Sequence, residues 1–363
     1  MTLAMRRVLE HVSPRLFRAA SYPVGVHIGG ERVTAAQLER TPSGLAVRAL
    51  AALDLGCPWY AMLCEPRRFR QVLKRFWKEH GFQGGEVIAA MPQEQLKIFT
   101  VDYTAGQGQG DAEAIAAEVK DRLKANGRSM VVDFVPVRQA SQDERSKEAV
   151  VAAAAREDVT AFLDLLYAAG LHVRALDVPG MALKRVVPWT DQRSGRDMQS
   201  ALLIHIGSDS SQLMLVWGRR LMLDRSIEFS EQRLVARVAR LLDLPEHAAK
   251  RLLAGPDMDG ALREIIGAEL MLLKTEAAKT LHYAASKTHG ADLDKILLVG
   301  AVGRFPGIAQ FLRAGLAKPV EVLDPLALFP HSLSKEDAAE LAPQCGVAVA
   351  IGLALRGAAG AGP

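Results

Sequence analysis

Residues 201–216 read A-L-L-I-H-I-G-S-D-S-S-Q-L-M-L-V: an apolar run, a tight bend at Gly207 with small hydroxylated residues, and a second apolar run. Two apolar runs joined by a few turn-forming residues predict a β-hairpin. The same plan occurs at residues 24–38, V-G-V-H-I-G-G-E-R-V-T-A-A-Q-L. Both hairpins carry H-I-G at the bend, with the histidines at positions 27 and 205, which are 178 residues apart. Solenoid repeats recur at roughly 20–50 residues, so this spacing predicts a duplicated core instead. It points to two similar domains facing each other across a cleft.

Length and composition agree with that reading. A chain of 363 residues exceeds what one core usually supports. With 49% hydrophobic and 24% charged residues, the chain is expected to be folded and globular. A formal net charge of +4 suits an anionic membrane surface or acidic partners. No dense Lys/Arg block interleaved with aromatics occurs, so nucleic acid is not expected as a partner. Cys57, Cys64 and Cys345 match no zinc or disulfide spacing, which predicts a reducing compartment. No run of about 18 apolar residues is present, so no transmembrane helix is expected. Residues 1–21 form a basic segment with Arg6, Arg7, Arg15 and Arg18, and without the apolar core of a secretory signal. A docked or frayed terminus is preferred there over a basic amphipathic helix lying on lipid.

Taken in order, residues 22–92 predict the first part of one α/β domain: the hairpin, a third strand over Gly44 to Leu55, a helix from Pro66 to Gly81, and a buried strand over Glu86 to Met91. Phe69, Val72, Leu73, Phe76 and Trp77 recur at spacings of 3 and 4 in that helix. The texture changes over 93–149, read as a small inserted β/α subdomain with strands at 96–103 and 130–137 and a helix from Asp111, a candidate N-cap. Residues 150–192 are read as the chain's return to the first domain, with a buried strand at 150–155, a helix ending at Gly170 and a strand at 171–178. The polar stretch 188–200 marks a hinge. Residues 193–356 are read as the second domain, including a helical part at 230–290 in which Leu234, Val238, Leu241 and Leu242 form one stripe. A strand at 295–299, a helix at 306–316 and a closing apolar helix at 346–356 follow, and the Ala/Gly tail 357–363 is expected to be disordered.

Twin hairpins that each open a domain, followed by a strand that ends in glycines before a helix, resemble the actin-like ATPase superfamily. Within it, the chain resembles the type IV pilus assembly protein PilM and its relatives in MSHA-type pilus biogenesis, with the cell-division protein FtsA more distant. The likeness runs from about residue 22 to 356. It rests on V-V-A-A-A-A-R-E-D-V at 150–159, A-A-G-L-H-V-R-A-L-D-V at 168–178, L-L-D-L-P-E-H-A at 241–248, L-L-V-G-A-V-G-R-F-P-G at 297–307 and A-I-G-L-A-L-R at 350–356. The resemblance implies an α/β, actin-like (ribonuclease H-like) duplicated two-domain fold with a small inserted β/α subdomain. It also implies a cytoplasmic protein, peripheral to the inner membrane. Such a protein would bind the cytoplasmic tail of a PilN-type bitopic inner-membrane partner in a groove between the first domain and the insert, and would serve the pilus motor ATPases indirectly.

The superfamily carries an aspartate just before each I-G, where carboxylates hold Mg²⁺ largely through water while glycine backbone approaches the phosphates of ATP. In this chain both positions are histidine, His27 and His205, and neutral imidazole is a poor magnesium ligand. The adenosine-side glycine pattern is G-A-V-G, keeping Gly300 and Gly303 but placing Ala301 between them. The second domain's Gly-Gly-x-x-(Leu/Ile)-Thr pattern is replaced by E-F-S-E-Q-R-L-V. Gly29, Gly30, Gly207, Ser208, Ser210, Gly300 and Gly303 are the nucleotide-binding candidates that persist. ATP with Mg²⁺ is therefore expected to bind weakly or not at all, with very slow or absent hydrolysis, and no catalytic or resident metal site is expected.

A cross-cleft His27–His205 pair acting in acid/base chemistry or on a metal would need a third ligand, so lost selection on former aspartates is preferred. Asp209 is read as satisfying turn amides, and Lys279 with Glu276 as a solvated helix face. The leading expectation is a non-catalytic scaffold of pilus assembly. The runner-up is an active actin-like ATPase whose nucleotide state gates assembly, while an FtsA-like division role is disfavoured because no amphipathic helix follows Arg356.

Overall fold

The computed structural model describes residues 21–104, 110–123, 129–137, 147–190, 200–218, 220–255, 260–287, 292–300 and 305–358. The N-terminal basic segment up to residue 20, Gly303, most of the expected hinge and the tail from residue 359 lie outside them.

The chain begins as an antiparallel meander of β1 (Val24–Gly29), β2 (Arg32–Thr41) and β3 (Gly44–Asp54). In β2, Val33 to Leu38 are buried one after another, which occurs only when a sheet is covered on both faces. One cover is α1 (Pro66–Glu79), where Phe69, Leu73 and Phe76 recur at helical spacing and sink among Trp59, Met62 and Phe162. Gly81, at φ +70, lets the chain leave that helix. β4 (Glu86–Ala90) then lies parallel to β1. Next come β5 (Lys97–Tyr103), α2 (Asp111–Arg122), β6 (Met130–Val137), β7 (Lys147–Ala155), α3 (Arg156–Ala168), β8 (His172–Asp177) and α4 (Pro179–Val186). β8 is parallel to β4 and completes a five-stranded sheet in the order β3-β2-β1-β4-β8.

The second sheet repeats this plan. β9 (Ser200–Ile206), β10 (Ser211–Trp217) and β11 (Arg220–Ile227) form the meander, and β12 (Lys295–Gly300) and β13 (Val320–Val322) add parallel strands beside β9. Its order is β11-β10-β9-β12-β13. The helices of this half are α5 (Glu231–Leu242), α6 (Glu246–Leu253), α7 (Gly260–Lys287), α8 (Pro306–Gly315), α9 (Lys335–Leu341) and α10 (Val347–Gly357).

Four sequence expectations are corrected. Residues 150–155 do not return to the first sheet, because β7 is the central strand of a separate three-stranded antiparallel sheet, β5-β7-β6. An alanine-rich strand pairs equally well in either setting, and the long-range partners decided. The closing helix α10, read as part of the second domain, packs on β1, β2 and α4 of the first half. Its residues Val347 to Leu355 are all buried. A side chain at Gly25 would overlap Ala350 O, and one at Gly352 would overlap Ala182 O, so this helix meets its neighbours backbone to backbone. Gly110, not Asp111, stands at the N-cap of α2. In α5 the buried stripe is Leu234, Val235 and Val238, while Leu241 and Leu242 are exposed.

The inserted sheet touches both halves. Glu148 on β7 is 3% exposed, accepts a hydrogen bond from Tyr283 Oη at 2.6 Å and pairs with Lys287 Nζ at 2.9 Å, both from α7. β5, β6 and β7 also pack against β11. Burial together with Glu148 raises the ionisation of Tyr283 well above its usual range, so its hydroxyl stays a donor at neutral pH.

Candidate functional site

The two hairpins face each other but turn differently. In the first, Gly29 pairs with Arg32, leaving the two-residue turn Gly30–Glu31 with Gly30 at φ +58. Such a turn requires a positive φ, which glycine supplies without strain. In the second, Ile206 pairs with Ser211 across a four-residue loop. That loop docks on the start of α5: Glu231 N donates to Gly207 O and Gln232 N to Ser208 O, both at 3.0 Å. The N-cap Ser230 accepts from Arg233 N at 3.2 Å. The first amides of α5 are therefore occupied by protein carbonyls. The hairpin tips also touch, since a Cβ added at Gly30 would lie 2.9 Å from Asp209 Oδ2.

Between the tips lies a cleft of about 450 Å³. Of the sequence candidates, His27, His205, Gly29, Gly30, Gly207, Ser208 and Ser210 all line it. Gly300 does not line it; it ends β12 at φ +89 against Ile206 O and the His205 ring, where its lack of a side chain allows close strand packing. Lys279 and Glu276 lie outside the cleft lining and pair with each other at 2.8 Å on α7, and Glu276 also pairs with Arg225 at 2.7 Å.

His205 is 6% exposed, and its Nε2 lies 2.8 Å from Cys345 O. A carbonyl can only accept, so the neutral ring carries its proton on Nε2. Burial pushes this histidine's pKa down, partly offset by Cys345 O and by the Gln212 side chain. Gln212 stands opposite His205 in the β9–β10 ladder, donates to Gln93 Oε1 at 2.9 Å, and Gln93 in turn donates to Ser226 Oγ at 3.1 Å. His27 is wedged between Gly29 and Gly346, and its Nδ1 is enclosed without a partner. Loss of solvent, and secondarily the nearby His205, hold its pKa down to about 3. Both imidazoles are neutral at pH 7.

The charged side chains of the lining are mainly acidic. Glu31, Glu94, Asp209 and Glu231 face the cleft, against Arg32 as its lysine- or arginine-type cation among the described residues. Arg32 is turned to Gln344 Oε1 at 3.3 Å and Asp54 Oδ2 at 3.6 Å, and Glu94 accepts from Trp59 Nε1. Burial first, and then Glu94, raise the pKa of Asp209, since both disfavour its charged form. Among the described residues no three His, Cys, Asp or Glu side chains converge on a metal-sized position. A magnesium–triphosphate group would find neutral rings where charge is needed, excess carboxylates around them, and α5 amides already bonded. Among the described residues lining the cleft, the one Lys/Arg side chain, Arg32, is already engaged by Gln344 and Asp54.

Sequence reasoning missed Gln93, Glu94, Cys345 and Gly346 in this cleft. The first two were findable, because they follow the carboxyl end of a parallel strand, where α/β sheets place their ligands.

A second concavity, of about 360 Å³, lies where the inserted sheet, the first half and β11 meet. Its walls are largely apolar, with Leu96, Ile98, Val131, Phe134, Met181 and Leu221 among them. Asp177 sits in its floor with every need met: Oδ2 receives Arg185 at 2.7 Å and Arg356 at 2.9 Å, and Oδ1 accepts from Val178 N at 2.9 Å. Asp224 lines the same groove. β6 is an edge of the inserted sheet and leaves Val131 and Val132 exposed. Nothing local in the sequence marks this groove, since it is assembled from eight separate elements, β5, β6, β7, α3, β8, α4, β11 and α10.

Comparison with known proteins agrees with this architecture. The family model described as "Type IV pilus assembly protein PilM" matches residues 25–358. Among solved structures, the chain is similar to the one described as "PilM-PilN type IV pilus biogenesis complex", at 23% identity and TM-score 0.77, covering 94% of this chain and 99% of that one. It is also similar to the ethanolamine utilization protein EutJ from Carboxydothermus hydrogenoformans, at 14% identity and TM-score 0.51, covering 94% and 93%. The duplicated sheets and these likenesses together give the actin-like two-domain α/β fold expected from the twin hairpins. With a match that runs from the first hairpin through the whole of α10, the chain belongs to the type IV pilus assembly protein PilM family.

Proposed function

We propose that the chain is a non-catalytic scaffold of type IV, MSHA-like pilus assembly that holds the cytoplasmic tail of a PilN-type bitopic inner-membrane protein in the groove beneath the inserted sheet. The observation that carries this reading is the groove itself: an apolar trough bordered by the edge of β6. An extended segment can add main-chain hydrogen bonds to such an edge while alternate side chains enter the trough. The similar structure named for a PilM–PilN complex supports the choice of partner. Attachment through the tail would keep the protein cytoplasmic and peripheral to the inner membrane, and no helix among the described residues is long and apolar enough to cross a membrane. Contact with the pilus motor ATPases is indirect in this reading.

In the same reading the cleft is a degenerate nucleotide site, with His27 and His205 in place of magnesium-binding carboxylates. Gly29, Gly30, Gly207, Ser208 and Ser210 form a surviving backbone cradle without the charge to hold a triphosphate. Calorimetry on the full chain tests both parts. A synthetic peptide of the PilN-type tail should bind with a micromolar or tighter Kd, equally with and without MgATP. A tail that does not bind refutes the scaffold reading.

A second reading, an active ATPase whose nucleotide state gates assembly, is favoured by one observation. The Gln93–Gln212–His205 chain of hydrogen bonds connects the cleft to the start of the insert, so a change in the cleft could reach the groove. Gly207→Val separates the two, because a Cβ there would overlap Ser210 O and deform the loop. The scaffold keeps its tail affinity in this variant, and a gated machine loses it. Micromolar MgATP binding with turnover lost in His205→Ala would establish the second reading.

A further inference from the structure

Asp224 is the feature of the groove that packing does not explain. It lies on β11, is 2% exposed, and neither carboxylate oxygen has a hydrogen-bond partner. Its surroundings offer none. On the α4 side, Oδ2 abuts Gly180, where a Cβ would overlap it, and Met214 Sδ is close by. At the start of α4, Pro179 has no N–H, Met181 N and Ala182 N both donate to Val178 O, at 3.1 and 3.2 Å, and Gly180 N makes no hydrogen bond to Asp224. The two guanidinium groups of the groove, Arg185 and Arg356, are both committed to Asp177. On the insert side the other carboxylate, Asp133, accepts from Phe134 N at 2.9 Å and brings no donor.

A carboxylate taken out of water without a donor is among the most costly placements in a protein interior. Stability alone would favour an apolar residue at this position, between Leu221 and Ile227 on the same buried strand. Gly180 leaves the space the carboxylate occupies and adds no bond to it. The arrangement makes sense if the missing donor arrives with an occupant of the groove.

We infer that Asp224 is the specificity contact of the groove, receiving a side-chain N–H donor, an amide or a cation, from a tail segment that is otherwise apolar and extended. This rests on the reading above that the tail lies in this groove. It adds a requirement that apolar walls cannot impose: a segment of equal hydrophobicity without a donor at the matching position leaves the carboxylate buried and unpaired, and is rejected.

The test uses the full chain and a fluorescein-labelled synthetic peptide of the PilN-type tail, read by anisotropy, with thermal unfolding in parallel. In Asp224→Ala, Kd should rise about 10- to 100-fold, as expected for loss of a hydrogen bond to a charged group, while Tm is unchanged or higher. Asp224→Asn keeps one acceptor in the same volume and should weaken the tail several-fold. It decides the matter if the alanine variant does not fold. Replacing the tail's polar residues one at a time by leucine should identify one position whose loss matches, and does not add to, that of Asp224→Ala. An Asn or Gln at that position identifies the donor as an amide, and a Lys or Arg as a cation. Unchanged affinity in both Asp224 variants, or a lowered Tm with full affinity, overturns the inference and leaves the scaffold reading intact. Failure of the unaltered chain to bind the tail removes both.

Discussion

The cleft between the hairpins and the groove beneath the insert are of similar size, about 450 and 360 Å³, but they are built from opposite materials. The cleft is the more polar of the two, with two neutral imidazoles and four carboxylates in its lining. The groove is apolar, with one saturated ion cluster at Asp177 and one bare carboxylate at Asp224. The same helix serves both: the N-cap of α10, Gly346, lines the cleft and Arg356 near its end lines the groove, about 15 Å apart at the usual rise per residue. Duplication of a sheet built the cleft, whereas the insert built the groove.

Damage to α10 should abolish both sites together. In Gly352→Ala the new methyl meets the backbone of Ala182, and neither chain can yield by a rotamer change. A loss of about 3 kcal/mol or more is expected in urea unfolding, with tail binding lost. A stable Gly352→Ala protein would mean that the helix is not the shared support.

Damage confined to the groove should be smaller. Asp177→Ala removes the 6%-exposed partner of two arginines and leaves them facing each other. About 2 to 3 kcal/mol of stability should go, and tail affinity with it. The cleft should be untouched, which the tautomer-sensitive NMR signals of His205 would report.

Acidity should separate the two regions most finely. His27 has a folded-state pKa of about 3 against an ordinary 6.5. Its contribution is fully present above 6.5 and is lost as pH falls from 6.5 towards 3. Asp224 is pushed by burial from 3.8 up to about 7. Its unfavourable ionisation costs stability as pH rises from 3.8 towards 7, so acidification relieves it. Between pH 6.5 and 5 the two slopes oppose each other, each worth about 1 to 2 kcal/mol over that interval. Relative to wild type, His27→Asn should gain stability on acidification and Asp224→Asn should lose it, measured as shifts of the urea midpoint. Shifts of the same sign in both variants would contradict the preference for the neutral form that burial imposes on both side chains.

Most of the architecture was legible because it is written in short periods. The H-I-G echo at 27 and 205 announced the duplication, the Phe69–Leu73–Phe76 spacing announced α1, and Gly81 and Gly170 announced where helices stop. Much of the cleft was legible too, since each hairpin carries its cleft residues locally. What failed were decisions between long-range partners. The run V-V-A-A-A-A at 150–155 reads as a buried strand in any sheet, and only pairing with β5 and β6 assigned it to the insert. Likewise the apolar helix near the carboxyl end could have covered either half.

The sequence by itself determined the repeated hairpins, the glycines the turns demand, and a histidine before each I-G bend. Those are properties of residues near one another in the chain, and local sterics and side-chain chemistry fix them. Only the tertiary structure decided that Cys345 joins the cleft, that α10 reaches from cleft to groove, and that Asp224 is buried with nothing to bond. Each depends on which surfaces meet across a hundred or more residues, where burial, and not local preference, sets the energy.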